Sequence, residues 1–367
     1  AGGAAAEAAE KIGADTVRYL YASAPTNNDV RFGYNLGDEA RRKMLGFWNI
    51  YTFFDTYAQL DKPNFAEYKV DFAKLTPIDK WLVVRTNEYL KKATAAMDDY
   101  KSAALIKEFE LFVDDISNWY IRTNRRRFWK TEDQQDKMVA YWTLFNALKV
   151  CVQTIAPITP FMTEYIWQNL IKKCDSTVAE SVHLSDWPSV LEGVEDDGII
   201  EQTALVRDVI ATAMRLRNEQ QIKVRQPLSK IFICCDADKA DKIKTFGKNI
   251  LDELNIKTVE YIDDINVLED QFLAVNFKVA GAVLKGDVNK MKQALEAASA
   301  EKMAEYTAKV KSGEAVLVEG FDEAYDGSIF NVMTKTKEGI VSAECQQGAI
   351  IALDVVLMEQ PRLPEQH

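Results

Sequence analysis

The sequence contains few of the residues that most often carry catalysis or bind metal ions. Its 367 residues include only two histidines, His183 and the terminal His367. None of the five cysteines forms a C-x-x-C pair, which argues against a zinc ribbon. No G-x-x-x-x-G-K-[ST] phosphate loop, G-x-S-x-G elbow or H-E-x-x-H helix is present. We therefore expect neither a catalytic nor a metal site in this chain.

Long apolar runs are also missing. No stretch approaches the roughly 20 apolar residues that span a bilayer. No charged and then apolar leader opens the chain. The odd, scattered set of cysteines argues against a disulfide framework and fits a reducing compartment. These absences predict a cytoplasmic protein with no membrane partner.

An overall excess of basic residues is absent as well. Lysine and arginine number 45 against 56 acids, and the formal net charge is −11. By itself this charge argues against a nucleic-acid partner, because phosphate contacts need lysine and arginine. Local clusters decide where a polyanion can dock, so the distribution of the basic residues matters more than their total.

Apolar residues recur at three- and four-residue steps through five segments between residues 36 and 173. The first face consists of Ala40, Met44, Trp48, Tyr51, Phe54 and Ala58. The second segment opens at Thr76-Pro77-Ile78-Asp79, which is typical of a capped helix start. The others cover 105–119, 144–155 and 159–170. Five amphipathic helices with short connections cannot bury their faces separately, so we predict an antiparallel helical bundle.

The pattern changes after Pro227. One more helix is expected at about 199–219. Strands are then predicted at 230–234, 258–262, 315–319, 330–336, 340–343 and 349–357, with helical segments at 239–254 and 288–311. This mixed order predicts a smaller α+β domain after the bundle, in a chain that is mainly α. The first ten residues, AGGAAAEAAE, resemble an expression scar or a linker and are left out of the fold prediction.

The densest basic cluster is NWYIRTNRRRFWK at 118–130. It has five positive charges and no acid. On a helix, Arg122, Arg126 and Trp129 fall on the same side as Trp119. Guanidinium groups bind phosphates through two hydrogen bonds, and aromatic rings stack on unpaired bases. The alternative is a solvated basic face whose tryptophans belong to the core.

A second basic cluster, RLRNEQQIKVRQPL at 215–228, lies at the predicted change from helix to strand. Its candidate phosphate contacts are Arg217, Lys223 and Arg225. The alternative is an ordinary connector whose long side chains cover neighbouring core.

Several segments, in order along the chain, resemble class Ia aminoacyl-tRNA synthetases, and the isoleucine-specific enzymes best. They include GADTVRYL at 13–20, VDDISNWYIR at 113–122, APITPF at 156–161 and IKVRQPL at 222–228. The last segment, together with NFKVAG at 276–281, resembles the eukaryote-like type of isoleucine enzyme. The resemblance implies a segment following the catalytic domain at 11–35, a helical anticodon-binding domain at 36–198, and a junction helix with a C-terminal domain at 199–360.

The family's H-I-G-H and K-M-S-K-S motifs and its editing domain are absent here. The resemblance therefore implies a C-terminal, tRNA-binding fragment that holds no cofactor and is inactive alone. Its parent would use ATP and Mg²⁺ to attach isoleucine to tRNA(Ile). The expected partner is tRNA(Ile), bound at the anticodon stem and loop, and the chain is expected to be monomeric. A valine or leucine enzyme, or a non-catalytic protein-interaction module, are the alternatives.

Two sets of residues are predicted to contact the tRNA. The first set, in the bundle, is Arg122, Arg125, Arg126 and Arg127, with a weaker contribution from Lys130 and stacking by Trp129. The second set, at the junction, is Arg217, Lys223 and Arg225. Phosphate contacts position the RNA while base contacts specify it, so these arginines would supply affinity more than identity. Trp119 is expected in the core.

Overall fold

The computed structural model describes residues 13–24, 33–129 and 133–356. The chain divides into two compact units, Ala1–Ala204 and Leu205–His367. The division falls inside one helix, Asp197–Glu219. The sequence predicts a domain boundary at 198/199, near the start of the same helix.

Helices make up the first unit. They are α1 (Ala14–Ser23), α2 (Tyr34–Asp61), α3 (Pro77–Asp98), α4 (Ser102–Asp114), α5 (Arg122–Trp129), α6 (Gln134–Ile155), α7 (Pro160–Ile166) and α8 (Lys172–Cys174), with α9 (Asp197–Glu219) running into the second unit. Short 3₁₀ turns lie at Phe72–Lys74 and Val182–Leu184. The predicted helical bundle is confirmed.

Two π-helical segments interrupt this pattern. Asp115–Ile121 joins α4 to α5, and Trp167–Ile171 joins α7 to α8. A π segment adds residues to the turn and so rotates the faces of the helix that follows it. Trp119, inside the first segment, is 4% exposed, whereas Trp129 is 61% exposed. Trp119 is thus in the core, as expected, but it does not share a face with Arg122, Arg126 and Trp129.

The start of α3 follows the sequence signal closely. The Thr76 side chain accepts a hydrogen bond from the backbone N–H of Asp79, and the Asp79 carboxylate accepts one from the backbone N–H of Thr76. Pro77 occupies the first turn, where its missing N–H costs nothing. This capping box fixes where α3 begins and points the Asp79 side chain back toward the helix end.

Aromatic contacts fill the core of the bundle. Tyr89 stacks on Phe112 with ring centroids 4.5 Å apart. Phe54 meets Tyr141 edge to face at 5.5 Å. The Tyr89 hydroxyl shares a 2.7 Å hydrogen bond with Thr154 Oγ1, so its polar end is satisfied inside the core. Rings from α2, α3, α4 and α6 therefore pack the bundle together.

The second unit combines two sheets with helices. Its strands are β1 (Leu228–Cys234), β2 (Ile256–Ile262), β3 (Glu269–Val275), β4 (Phe330–Thr336), β5 (Ile340–Glu344) and β6 (Ile350–Asp354). Its helices after α9 are α10 (Ala237–Lys244), α11 (Gly247–Leu254), α12 (Phe277–Leu284), α13 (Val288–Ala297) and α14 (Ala300–Ser312). The larger sheet has the order β2-β1-β6-β5, with β1 and β2 parallel, and β3 pairs with β4 antiparallel. The predicted α+β class is confirmed.

Some predicted elements of this unit are wrong in detail. Residues 315–319 form no strand and contribute a single bridge between Val316 and Tyr325. The strand β3 was not predicted, because its acidic start has low strand propensity and its partner β4 lies far along the chain. The helix predicted at 288–311 is two helices, since Ser299 caps α14 by accepting from Lys302 N. The helix predicted at 239–254 is likewise split into α10 and α11.

The turn between β4 and β5 yields a stability prediction. Gly339 has a φ of +80°, and a Cβ there would lie 2.7 Å from Cγ2 of Val356. We expect Gly339→Ala to lower the free energy of unfolding by about 1–3 kcal/mol, because the alanine would be strained in both respects. Urea denaturation measures this difference. The matched control is Gly247→Ala at the start of α11, where nothing lies within 4 Å. That change should be neutral or gain about 0.4–1 kcal/mol, and equal losses in both variants would contradict the strain at Gly339.

Candidate nucleic-acid interface

The predicted basic cluster lies on α5, and its residues divide between two sides of that helix. Arg122, Arg125 and Arg126 are exposed. Trp129 is exposed as well, one turn beyond Arg125 and Arg126. Three guanidinium groups and an indole thus form one solvent-facing strip, which we term the α5 strip. Lys130, the last residue predicted for this cluster, lies outside the described residues.

Arg127 faces the protein and is held by two carboxylates. Its Nη1 and Nη2 donate to Asp79 Oδ1 and Oδ2 at 2.8 and 2.9 Å. Its Nε and Nη2 donate to Asp136 Oδ2 and Oδ1 at 2.9 and 2.7 Å. The charge of Arg127 is therefore neutralised by carboxylates inside the bundle. This placement disagrees with its predicted role as a phosphate contact, because its donors already have partners.

Asp79 lies at the centre of this network. It is completely buried. Besides Arg127, its carboxylate accepts a 2.6 Å hydrogen bond from the hydroxyl of Tyr120. Burial and the nearby charge of Asp79 raise the pKa of Tyr120 well above its usual value, so the hydroxyl stays protonated and donates. Burial opposes the charge on Arg127, but the carboxylates of Asp79 and Asp136 raise its pKa.

The network fixes which way α5 faces. Asp79 belongs to the first turn of α3, and Asp136 to the first turn of α6. Arg127 ties α5 to both helix starts at once. Since Arg125 and Arg126 precede it directly in the same helix, they are turned toward solvent. The pairing of Arg127 therefore directs Arg125 and Arg126 toward solvent.

A second network pairs two acids of the bundle with another arginine. Arg85, on α3, donates from Nε to Asp115 Oδ2 at 2.9 Å and from Nη2 to Glu108 Oε1 at 3.0 Å. Its guanidinium carbon lies 5.4 Å from the Phe112 ring centroid. Asp115 and Glu108 thus share Arg85 as a cation.

A pocket of about 320 Å³ adjoins the α5 strip. It lies between α2 and the π segment, and its lining residues are Asn49, Ile50, Phe53, Ser117, Ile121, Arg122 and Arg125. The guanidinium carbon of Arg125 lies 5.6 Å from the ring centroid of Phe53, as in a cation–π contact. The walls are therefore aromatic and cationic, and Asn49 and Ser117 add groups that can donate and accept hydrogen bonds.

Sequence reasoning missed Asn49, Phe53 and Ser117. They come from α2 and the π segment, which are far apart in sequence and meet only in the folded bundle. The surplus of aromatic residues along α2 (FWNIYTFF at 47–54) was the available signal, but it also fits a core helix. Only the pocket in the folded protein shows that Phe53 lines a surface cavity, a role that the sequence does not distinguish from a place in the core.

The junction residues also divide. Lys223 and Arg225 are exposed in the loop before β1. Arg217 is completely buried at the end of α9. Its guanidinium donates to backbone carbonyls of the loop, among them that of Lys223 at 2.9 Å. This burial disagrees with the predicted contact between Arg217 and RNA, since a phosphate cannot reach it.

The described residues contain no group of three or more His, Cys, Asp or Glu side chains that could hold a metal ion. Within the same part of the chain, no helix has the length and apolar character needed to cross a membrane. His183 is exposed, and its Nε2 lies 3.3 Å from the carbonyl oxygen of Pro160.

Comparison with known proteins adds a family to this geometry. Residues 79–232 match the family model described as the anticodon-binding domain of tRNA ligase. The isoleucine--tRNA ligase of Thermus thermophilus is 36% identical over 78% of this chain and 28% of its own length. That of Clostridium novyi is 34% identical over 95% of this chain and 33% of its own length. The Agrobacterium radiobacter LeuRS in complex with tRNA and LeuAMS aligns with a TM-score of 0.39 and 16% identity, covering 52% of this chain and 21% of that one.

Residues 79–232, which include the α5 strip, thus belong to the family of anticodon-binding domains of tRNA ligases. More narrowly, the chain belongs to the isoleucine--tRNA ligase family. It spans about a third or less of the length of the curated relatives it matches. These relatives do not favour a valine or leucine enzyme or a protein-interaction module.

Because Arg127 is paired inside the bundle and Arg126 is exposed, replacing them should have unequal effects on stability. We expect Arg127→Met to lower the free energy of unfolding by about 3–5 kcal/mol, because it leaves the buried charge of Asp79 without its cation. Arg126→Met, a solvent-exposed change, should stay within about 0.5 kcal/mol of the wild type. Urea denaturation of the two variants, matched in chemistry and adjacent in sequence, measures the difference. Similar losses in both would contradict the assignment of Arg127 to the interior.

Proposed function

We propose that this chain binds the anticodon arm of tRNA(Ile), as part of a longer cytoplasmic, monomeric protein that attaches isoleucine to this tRNA. The observation that supports the proposal is the α5 strip. In a chain of net charge −11, it gathers three exposed arginines and an exposed tryptophan on one helix face. The family supports tRNA as the class of RNA, and the isoleucine--tRNA ligases among its relatives support isoleucine as the amino acid.

In this proposal the residues of the strip divide the work. Arg122, Arg125 and Arg126 contact phosphates, because planar guanidinium groups match the geometry of phosphate oxygens. Lys130 would extend the same charge. Trp129 stacks on an unpaired base, for which its exposed ring provides the surface. Arg127 serves the strip only indirectly, by holding α5.

The pocket beside the strip suits an unpaired base. A base that enters it would lie against the rings and guanidinium groups of Phe53 and Arg125. Asn49 and Ser117 could then donate and accept hydrogen bonds at the edge of the base. Contacts of this kind would discriminate among bases, whereas the arginines of the strip would supply affinity for any RNA backbone.

Lys223 and Arg225 form the second proposed contact. Both are exposed in the loop before β1. The segment IKVRQPL that carries them, together with NFKVAG at 276–281, also motivates the finer proposal that the chain is of the eukaryote-like isoleucine type.

Adenylate chemistry would belong to other parts of the longer protein. ATP and Mg²⁺ are the proposed cofactors of that protein. The sequence of this chain contains neither of the family motifs that hold ATP. Its residues are therefore assigned to RNA binding alone, with no catalytic step, and the isolated chain is expected to show no ATP–pyrophosphate exchange.

The proposal predicts that Arg126→Ala weakens binding of a tRNA(Ile) transcript and reduces its salt dependence. The slope of log K against log salt should flatten by about one unit, because one phosphate contact is lost. Filter binding between about 50 and 200 mM KCl measures both quantities. The control is Lys91→Ala, which removes an exposed basic residue from α3. Binding that is absent in the wild type, or that ignores salt, would overturn the proposal.

A further inference from the structure

The basic loop between α9 and β1 is a defined turn. The N–H of Gln226 donates to the carbonyl of Lys223 at 2.9 Å, which closes a four-residue turn with Val224 and Arg225 at its centre. The side chain of Gln226 in turn accepts from the N–H of Lys223 at 2.9 Å. The Asn255 side chain donates to the carbonyl of Val224 at 3.0 Å. Two neutral amides thus brace the turn from within and from the side.

Arg217, in the last turn of α9, adds a third set of hydrogen bonds to the turn. Its Nη2 donates to the carbonyls of Lys223 at 2.9 Å and Val224 at 3.4 Å, and also to that of Gln226. The carbonyl of Arg217 itself accepts from the N–H of Ile222 at 2.8 Å. Arg217 therefore joins the last turn of α9 to the backbone on both sides of Arg225.

A brace of this kind does not need a charge. Gln226 and Asn255 hold the same turn with neutral amides, which cost far less to bury than a guanidinium group. Arg217 is completely buried, its Nη2 donates to carbonyl groups, and its Nε and Nη1 have no hydrogen-bond partner among the described residues. This buried cation is hydrogen-bonded to the backbone of the turn that carries two exposed cations, Lys223 and Arg225. All three raise the electrostatic potential at the surface of the loop, where an anion would sit.

We infer that Arg217 is a positioning residue for a preformed phosphate-binding turn, Lys223 to Gln226. The turn holds Lys223 and Arg225 in place for the phosphates of an RNA backbone, and the buried charge of Arg217 strengthens their attraction for that backbone. The role predicted from the sequence, a direct contact by Arg217, is replaced by an indirect one. This inference rests on the proposed RNA-binding function.

Three variants separate positioning from stability. Arg217→Gln keeps a hydrogen-bond donor but removes the charge, and Arg217→Lys keeps the charge. Lys223→Gln with Arg225→Gln removes the two exposed cations and leaves the brace. The control is Arg215→Gln, an exposed arginine of the same helix whose Nη1 lies 3.5 Å from Glu219 Oε1. Each is made in the full chain, with the melting temperature checked, and is titrated with a tRNA(Ile) transcript across the salt range used for Arg126→Ala.

We expect Arg217→Gln to lower the affinity about fivefold to tenfold, and Arg217→Lys to stay within about twofold of the wild type, since interactions with charged groups are the stronger ones. Trypsin should cleave after Lys223 and Arg225 faster in Arg217→Gln than in the wild type. Combined with Lys223→Gln and Arg225→Gln, Arg217→Gln should have little further effect on affinity, because coupled residues are not additive.

The inference is overturned if Arg217→Gln weakens binding equally with and without Lys223 and Arg225, since its effect would then pass through the fold. It is also overturned if the double glutamine variant binds normally while Arg126→Ala does not. That second result would leave the proposed function of the bundle intact. Loss of salt-dependent binding by the wild type itself would instead reject the proposed function.

Discussion

The ion pair between Asp79 and Arg127 is the interaction on which the rest of the site depends. Asp79 is placed by the capping box of α3, so its position follows from four consecutive residues. A buried carboxylate needs a cation and further hydrogen bonds, and Arg127 and Tyr120 supply them. Because Arg127 belongs to the same helix as the exposed arginines, satisfying one buried charge orients the whole basic face.

The sequence predicted those features that depend on local rules. The start of α3 was predicted from its cap, and the bundle from apolar periodicity, because short-range geometry decides both. The burial of Arg127 and Arg217 could not be predicted from such local rules. Nothing in the pattern NRRRFW distinguishes the paired arginine from its neighbours, since the distinction comes from Asp79, on another helix. The strand β3 was missed for a similar reason, because its partner β4 is remote in sequence.

The net acidity of the chain also has a structural reading. Acids such as Asp79, Asp136, Glu108 and Asp115 neutralise arginines inside the bundle. Exposed arginines then remain on α5, where few acids are near in sequence. A total of −11 therefore says little about the local field along one helix. The pocket containing Phe53 and Arg125 lies within that field. The pocket that would select a base is therefore adjacent to the arginines that would attract the RNA backbone.

The number of residues in the π segment Asp115–Ile121 determines which side of α5 faces solvent. In an α-helix each residue turns the following face by about 100°. Shortening the segment by one residue would remove the bulge, lengthen the regular helix and swing α5 around its axis without changing any arginine. Arg127 would then take the exposed position of Arg126, and Arg125 would take the buried position of Asn124. Deleting one residue from this segment would therefore change which side chains α5 exposes while every charge is kept.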